Sequence, residues 1–146
     1  MIARRRAFGA GDVARENGLR VGIDLMSVDA VEESIRVHAG RYLRRVYTSR
    51  ELRDCATSGG APDARRLAAR FAAKEAALKV LRAGDEAVPW QTVGVLADRF
   101  GRPSIELTGA AAELARRRGV EALDVSLTHE GPFAAAVVVA RVRGER

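Results

Sequence analysis

The sequence lacks the features of several large protein classes. It has a single cysteine, Cys55, so no disulfide framework can form within the chain, and we expect a reducing, cytoplasmic environment. Its longest apolar run, Phe133–Ala140, has the length of a strand and falls well short of the ~20 residues that a membrane-spanning helix needs. The basic start of the chain has no apolar segment behind it. We therefore expect neither a secretory signal nor a membrane partner.

Motifs for several well-defined chemistries are also absent. The chain has no glycine-rich phosphate loop, no Cys/His cluster with metal-binding spacing and no Gly-x-Ser-x-Gly turn. The net charge of +6 would permit nucleic-acid binding, but the arginines alternate with acidic residues and no recognition motif accompanies them. We therefore expect no nucleic-acid partner. A basic surface of this kind suits a phosphate-bearing ligand or an acidic protein.

The length of 146 residues suits one domain, since a chain of about this size buries enough surface to form a core without disulfides or structural metals. Residues 1–18 mix Arg, Gly and Asp without periodicity, which predicts a flexible basic N-terminal arm. Residues 19–146 carry regular patterns of apolar residues and form the predicted domain.

Periodicity and capping residues predict an α+β fold in which an antiparallel sheet packs against a long helix. Short turns between consecutive strands favour antiparallel pairing. The predicted strands are Leu19–Met26, Thr92–Ala97, Ser104–Leu107, Leu123–Thr128 and Phe133–Val142. The predicted helices begin at Asp29, Thr48, Asp63 and Thr108 and end near Gly40, Ser58, Arg82 and Arg118.

The long predicted helix carries charges in unusual places. Lys74 and Lys79 are the only lysines among 25 basic residues, and Lys74 falls within an apolar stripe between Phe71 and Leu78. Glu75 and Lys79 are four residues apart and lie on one helix face. Spacing alone leaves two interpretations open: a surface ion pair beside a lysine whose head reaches solvent, or charges that bind a ligand.

Asp24 interrupts the first apolar strand. One interpretation is a carboxylate that caps the following helix. The other is an oxygen ligand for Mg²⁺, which needs only one or two protein carboxylates when substrate phosphates complete its coordination. Asp24 and Glu75 would form such a pair if the first strand packs beside the long helix.

Five segments, taken together and in order, resemble the 4′-phosphopantetheinyl transferases of the short holo-acyl-carrier-protein synthase type. The resemblance runs from about Val21 to Val139. The segments are Gly22-Ile23-Asp24, Arg45-Val46-Tyr47-Thr48 with Glu51, Arg70-Phe71-Ala72-Ala73-Lys74-Glu75-Ala76 with Lys79, Gly101-Arg102-Pro103 and Ser126-Leu127-Thr128-His129.

This resemblance implies transfer of 4′-phosphopantetheine from coenzyme A to a serine of an acyl or peptidyl carrier protein, with Mg²⁺ as cofactor. Asp24 and Glu75 match the metal ligands, and Glu75 and Lys79 match the catalytic residues. The resemblance also implies that the attacking hydroxyl comes from the carrier and that its proton goes either to a metal-bound water or to a carboxylate such as Glu75. The residues that match coenzyme-binding positions are Arg45, Arg70, Lys74, Lys79 and His129.

The length corresponds to one half of the larger, two-half members of this superfamily. The resemblance therefore implies a single half-unit that forms a homotrimer, with His129 of one subunit facing Asp24 and Glu75 of another. Three features motivate an alternative, a weak or inactive member that binds coenzyme A or a carrier. Glu130 follows His129 directly, the segment after the long helix is short, and Ala30 lies in a helix turn where the family usually has a basic residue.

Overall fold

The computed structural model describes residues 18–144. The predicted arm over residues 1–18 lies outside these residues except for Gly18, which already begins the first strand. The strands are β1 (Gly18–Ser27), β2 (Val93–Ala97), β3 (Pro103–Leu107), β4 (Val120–Glu130) and β5 (Phe133–Val142). The helices are α1 (Val28–Val46), α2 (Ser49–Asp54), α3 (Ala64–Val80) and α4 (Gly109–Arg117), and a 3₁₀ turn covers Trp90–Thr92.

The strands form two antiparallel sheets. β1, β5 and β4 pair in that order in one sheet, and β2 and β3 form a separate hairpin. Helix α3 lies across β1 and β5, and most of the core lies between this helix and the sheet. The predicted α+β class and the packing of the sheet against the long helix are confirmed.

Close contact between β1 and α3 depends on small residues. A Cβ atom at Gly22 would lie 2.2 Å from the carbonyl oxygen of Ala76, so only glycine lets the helix backbone approach this near. The facing side of α3 is lined by fully buried alanines, Ala72, Ala73, Ala76 and Ala77. Asp24 lies two residues after Gly22 and therefore points to the same face of the strand, toward α3.

Helix α1 differs from its predicted limits. It begins after Ser27, whose hydroxyl accepts from the Ala30 N–H, and not at Asp29. It kinks at Ala39, where φ is 43°, but then continues to Val46 instead of ending at Gly40. The second half remains helical because its apolar residues pack into a second core cluster with Leu67 and Cys55.

Two further boundaries are corrected. Helix α2 ends at Asp54, earlier than the predicted end near Ser58, and β4 begins at Val120, before the predicted Leu123. The predicted caps Thr48 and Asp63 are confirmed, since both side chains accept hydrogen bonds from the first turns of their helices.

The opposite face of β1 is apolar and uncovered in a single chain. Leu19 and Ile23 are 72% and 62% exposed, and Val21 and Leu25 lie beside them. Alternation along the strand turns these side chains away from α3. Among residues 18–144, none of the helices is both long and apolar enough to cross a bilayer.

Candidate active site

Asp24, Glu75 and Lys79 lie together where β1 meets α3. The Nζ atom of Lys79 donates to Oδ1 of Asp24 at 3.1 Å and to the carbonyl oxygen of Ile23 at 2.7 Å. Glu75 lies one helical turn before Lys79. It is close enough to Asp24 and Lys79 for the charges of both side chains to shift its pKa. The strand therefore packs beside the long helix, which was the condition for the predicted carboxylate pair.

The electrostatics of this cluster favour an added cation. The largest effect on the Glu75 carboxyl is burial, which raises its pKa. The negative charge of Asp24 raises this pKa further, and the positive charge of Lys79 lowers it. Two carboxylates thus lie near one ammonium group, which is in contact with Asp24. A divalent cation between the carboxylates would relieve their repulsion, and their oxygens are the ligands that Mg²⁺ prefers.

Over the described residues, no group of three or more His, Cys, Asp or Glu side chains is arranged to hold a metal. Two carboxylates are sufficient only when a phosphate-bearing ligand supplies further oxygens. This arrangement fits a site at which metal and phosphorylated substrate bind together.

A cleft of about 600 Å³ opens beside the cluster. Glu75 and Lys79 line it together with Ala87, Val88 and Trp90, and the last three form one wall. A smaller hollow of about 270 Å³ shares this wall and is lined by Arg45. The two hollows give a long ligand room to extend from the carboxylates past Trp90 toward Arg45.

Lys74 does not fit the role that the resemblance implied for it. Its side chain is fully buried, and Nζ pairs with Oε2 of Glu51 at 2.9 Å. The same ammonium donates to the carbonyl oxygens of Trp90 at 3.0 Å and Val93 at 2.5 Å. With three donors engaged inside the protein, it has none to offer a phosphate, and its head does not reach solvent.

Glu51 is the residue whose role the sequence analysis missed. It forms a capping box with Thr48, with Glu51 Oε2 accepting from the Thr48 N–H at 2.7 Å and Thr48 Oγ1 accepting from the Glu51 N–H at 3.1 Å. The same buried carboxylate also binds Lys74, and its other oxygen accepts from the Val95 N–H at 3.1 Å. The position of Lys74 inside an apolar stripe could have indicated this role, because a buried lysine needs an acidic partner.

Arg70 lies one turn before Lys74 on α3 and is 9% exposed. Its Nε atom is buried and has no hydrogen-bond acceptor. Among residues 18–144, every other buried side-chain nitrogen or oxygen has a hydrogen-bond partner. Such a donor is costly unless a ligand satisfies it. Arg70 therefore remains compatible with an anion-binding role.

His129 lies at the exposed end of β4, away from the carboxylates. It pairs in register with Ala134, whereas Asp24 pairs with Ala136 on the other side of β5. Because β5 separates β4 from β1, His129 and Asp24 lie on strands that do not neighbour each other.

The family model of the 4′-phosphopantetheinyl transferase superfamily matches residues 20–138. The chain belongs to this superfamily. The matched region contains every predicted site residue, from Asp24 to His129.

Curated relatives within the superfamily are holo-[acyl-carrier-protein] synthases. The protein from Geotalea daltonii is 39% identical over 119 residues, which cover 81% of this chain and 94% of that protein. The protein from Moorella thermoacetica is 41% identical over 121 residues, covering 83% and 92%. A solved Chronobacterium ammoniagenes ACPS–CoA complex is similar with a TM-score of 0.74, 28% identity and coverage of 86% of this chain and 98% of that chain.

Proposed function

We infer that this protein is a holo-acyl-carrier-protein synthase, which transfers the 4′-phosphopantetheine group of coenzyme A to a serine of an acyl carrier protein. One observation carries this conclusion. In a chain of the phosphopantetheinyl transferase superfamily, Asp24, Glu75 and Lys79 come together beside a cleft that can hold a long phosphorylated ligand.

We propose that Asp24 and Glu75 hold Mg²⁺. The raised pKa of Glu75, caused by burial and by Asp24, supports this assignment, because a cation would favour the ionised form of both carboxylates. When bound, Mg²⁺ would neutralise the pyrophosphate of coenzyme A and the charge that develops on the leaving phosphate.

Lys79 and Glu75 are the proposed catalytic residues. The Lys79 side chain is 53% exposed, so its ammonium can turn from Asp24 toward a pyrophosphate in the cleft and act as a point charge. The Glu75 carboxylate is the proposed acceptor for the proton of the carrier's serine hydroxyl, either directly or through a bound water. The serine oxygen then attacks the β-phosphorus, and adenosine 3′,5′-bisphosphate leaves.

Arg45, Arg70 and His129 are proposed to bind the nucleotide phosphates of coenzyme A. Arg45 lines the hollow beyond Trp90, and Arg70 has a buried donor without an acceptor. Guanidinium groups suit phosphate because they can donate two parallel hydrogen bonds. Lys74 is left out of this set because its ammonium is bound inside the protein.

We propose a homotrimer with the active sites at the subunit interfaces. The apolar face of β1 is exposed to solvent in one chain and can be buried only by another protein surface. Its large exposed residues are typical of a protein interface. Within one chain His129 is separated from Asp24 by β5, so a second copy would have to bring the histidine to the carboxylates.

The partner and the setting are also part of the proposal. The net charge of +6 supports an acidic carrier protein, acyl or peptidyl. The single buried thiol supports a cytoplasmic location. Residues 1–17 are proposed to be a basic arm added to the domain that follows.

The test is incubation with coenzyme A, Mg²⁺ and a panel of apo carrier proteins, followed by intact-mass measurement. We expect one carrier to gain the mass of a single phosphopantetheine and to lose this gain when a chelator replaces Mg²⁺. Coenzyme A binding without modification of any carrier would support the alternative of a binding module. No binding and no transfer would contradict both.

A further inference from the structure

The proposed chemistry leaves one charged pair in the interior unused. Lys74 and Glu51 are both fully buried, on helices that are separated in the sequence by the segment 55–63. Burying two charges carries a desolvation cost that is offset only when the geometry is good and the remaining donors and acceptors are satisfied. An apolar pair of similar volume would often stabilise a fold equally well, so the pair calls for another explanation.

The hydrogen bonds of the pair converge on one short stretch of backbone, the 3₁₀ turn and the start of β2. Lys74 holds the carbonyl oxygens of Trp90 and Val93, and Glu51 holds the N–H of Val95. Residues 83–89, which precede Trp90, form neither helix nor strand. The pair therefore fixes the backbone where this loop enters β2.

Trp90 forms part of the wall that both hollows share. Its ring packs on Phe71 with a centroid distance of 5.0 Å and an interplanar angle of 43°. Phe71 lies on α3 one turn before Lys74, so one helix supports both the ring and the carbonyl of Trp90. The neighbouring Gln91 side chain donates to the carbonyl oxygens of Arg44 and Tyr47 and ties the same turn to the end of α1.

We propose that the Lys74–Glu51 ion pair is a positioning device for coenzyme A, which holds Trp90 as the wall of the cleft without touching the ligand. The inference rests on the proposed function, since it takes the cleft to be the coenzyme site. Lys74 and Glu51 are positioning residues here, and their effect reaches the ligand through Trp90. It follows that loss of the pair should weaken coenzyme binding more than it slows the transfer step.

The chain reports on this wall directly because Trp90 is its only tryptophan. Coenzyme A is titrated into the full-length protein while Trp90 fluorescence is recorded, for the wild type and for Glu51→Leu/Lys74→Met. This double variant removes both charges together, so neither charge is left buried without its partner. Arg65→Met, an exposed basic residue at the start of the same helix, is the matched control.

We expect the double variant to remain folded by circular dichroism, with Trp90 emission shifted to longer wavelength and coenzyme A binding about tenfold weaker, because the carbonyls of Trp90 and Val93 lose their donor. In the transfer assay KM for coenzyme A should rise about tenfold while kcat changes less than about threefold. In a Trp90→Leu background the same double replacement should raise KM less than about twofold further, since the ring it positions is gone. Arg65→Met should match the wild type.

Two results would overturn the inference and leave the proposed function intact. One is a folded double variant that binds coenzyme A like the wild type with unchanged Trp90 emission. The other is a double variant that does not fold, which would make the pair a requirement of the whole fold instead of one wall. A wild-type protein that shows no response to coenzyme A in either binding or transfer would overturn the proposed function and this inference with it.

Discussion

Lys79 has two possible roles that experiment can separate, a structural ion pair with Asp24 and a catalytic charge for the pyrophosphate. Its contact with Asp24 is a partly exposed ion pair, and such pairs contribute only about 0–1 kcal/mol to stability. If Lys79 neutralises the pyrophosphate, its loss should lower the rate of transfer strongly and the stability of the fold only slightly.

For Lys79→Met we therefore expect kcat/KM for transfer to fall about 100-fold, the scale of losing one preorganised charge-stabilising donor. The melting temperature should change by no more than a few degrees. Steady-state kinetics and thermal unfolding measure the two effects. The control is Arg116→Met, an exposed pair with Glu113 on α4, and full activity of Lys79→Met would refute the catalytic assignment.

The sequence predicted the juxtaposition of Asp24 with Glu75 but not the burial of Lys74. The first depended on one assumption, that β1 packs beside α3, and Gly22 with the alanines of the helix favours that packing. The burial of Lys74 depends on acceptors that are distant from it in the sequence, namely the side chain of Glu51 and the carbonyl oxygens of Trp90 and Val93. Helical periodicity describes one helix face and carries no information about such distant partners.

At the scale of elements, helix starts were more predictable than helix ends. Thr48 and Asp63 cap their helices through hydrogen bonds to residues two or three positions later, so the signal is local. The predicted end at Gly40 was wrong because packing of the following apolar residues restores the helix after the kink at Ala39. Tertiary burial outweighed the local preference of glycine.

The crossing of β1 and α3 gives the most direct prediction for an element. Gly22→Ala would place a methyl group 2.2 Å from the Ala76 carbonyl oxygen, which is backbone and cannot move alone. We expect a loss of about 3 kcal/mol in the free energy of unfolding, near the upper end for overpacking. Transfer activity should fall as well, since Asp24 and Lys79 would be pushed apart.

Denaturant unfolding and the transfer assay measure both effects of Gly22→Ala. The matched control is Gly18→Ala, at the start of the same strand, where an added Cβ meets nothing within 4 Å. We expect that variant to stay within about 0.5 kcal/mol of the wild type. Equal stability of the two variants would show that α3 does not need glycine at this crossing.

At the scale of the whole molecule, the uncovered face of β1 bears on the assembly. Ile23 is 62% exposed in one chain, so a polar replacement there should cost the isolated fold little. In a trimer built on this face, Ile23→Glu would bury a carboxylate in each of three apolar interfaces.

We expect the wild type to have three times the 15.7 kDa mass of one chain in size-exclusion chromatography with light scattering, and Ile23→Glu to be monomeric and inactive. Val37→Glu, at an apolar residue on α1 that is 53% exposed, is the control and should remain trimeric and active. A monomeric wild-type protein with full activity would contradict the proposed interface sites.

The central claim is that the Asp24–Glu75–Lys79 cluster is the reaction centre for phosphopantetheine transfer. It is tested most directly by the intact mass of a carrier protein after incubation with coenzyme A, Mg²⁺ and either Glu75→Gln or Glu86→Gln. Both glutamates line the same cleft, but Glu86 is exposed and paired with Arg117 and Arg118. We expect a modified carrier with Glu86→Gln and an unmodified carrier with a folded Glu75→Gln. Modification by Glu75→Gln at the wild-type rate would contradict the central claim.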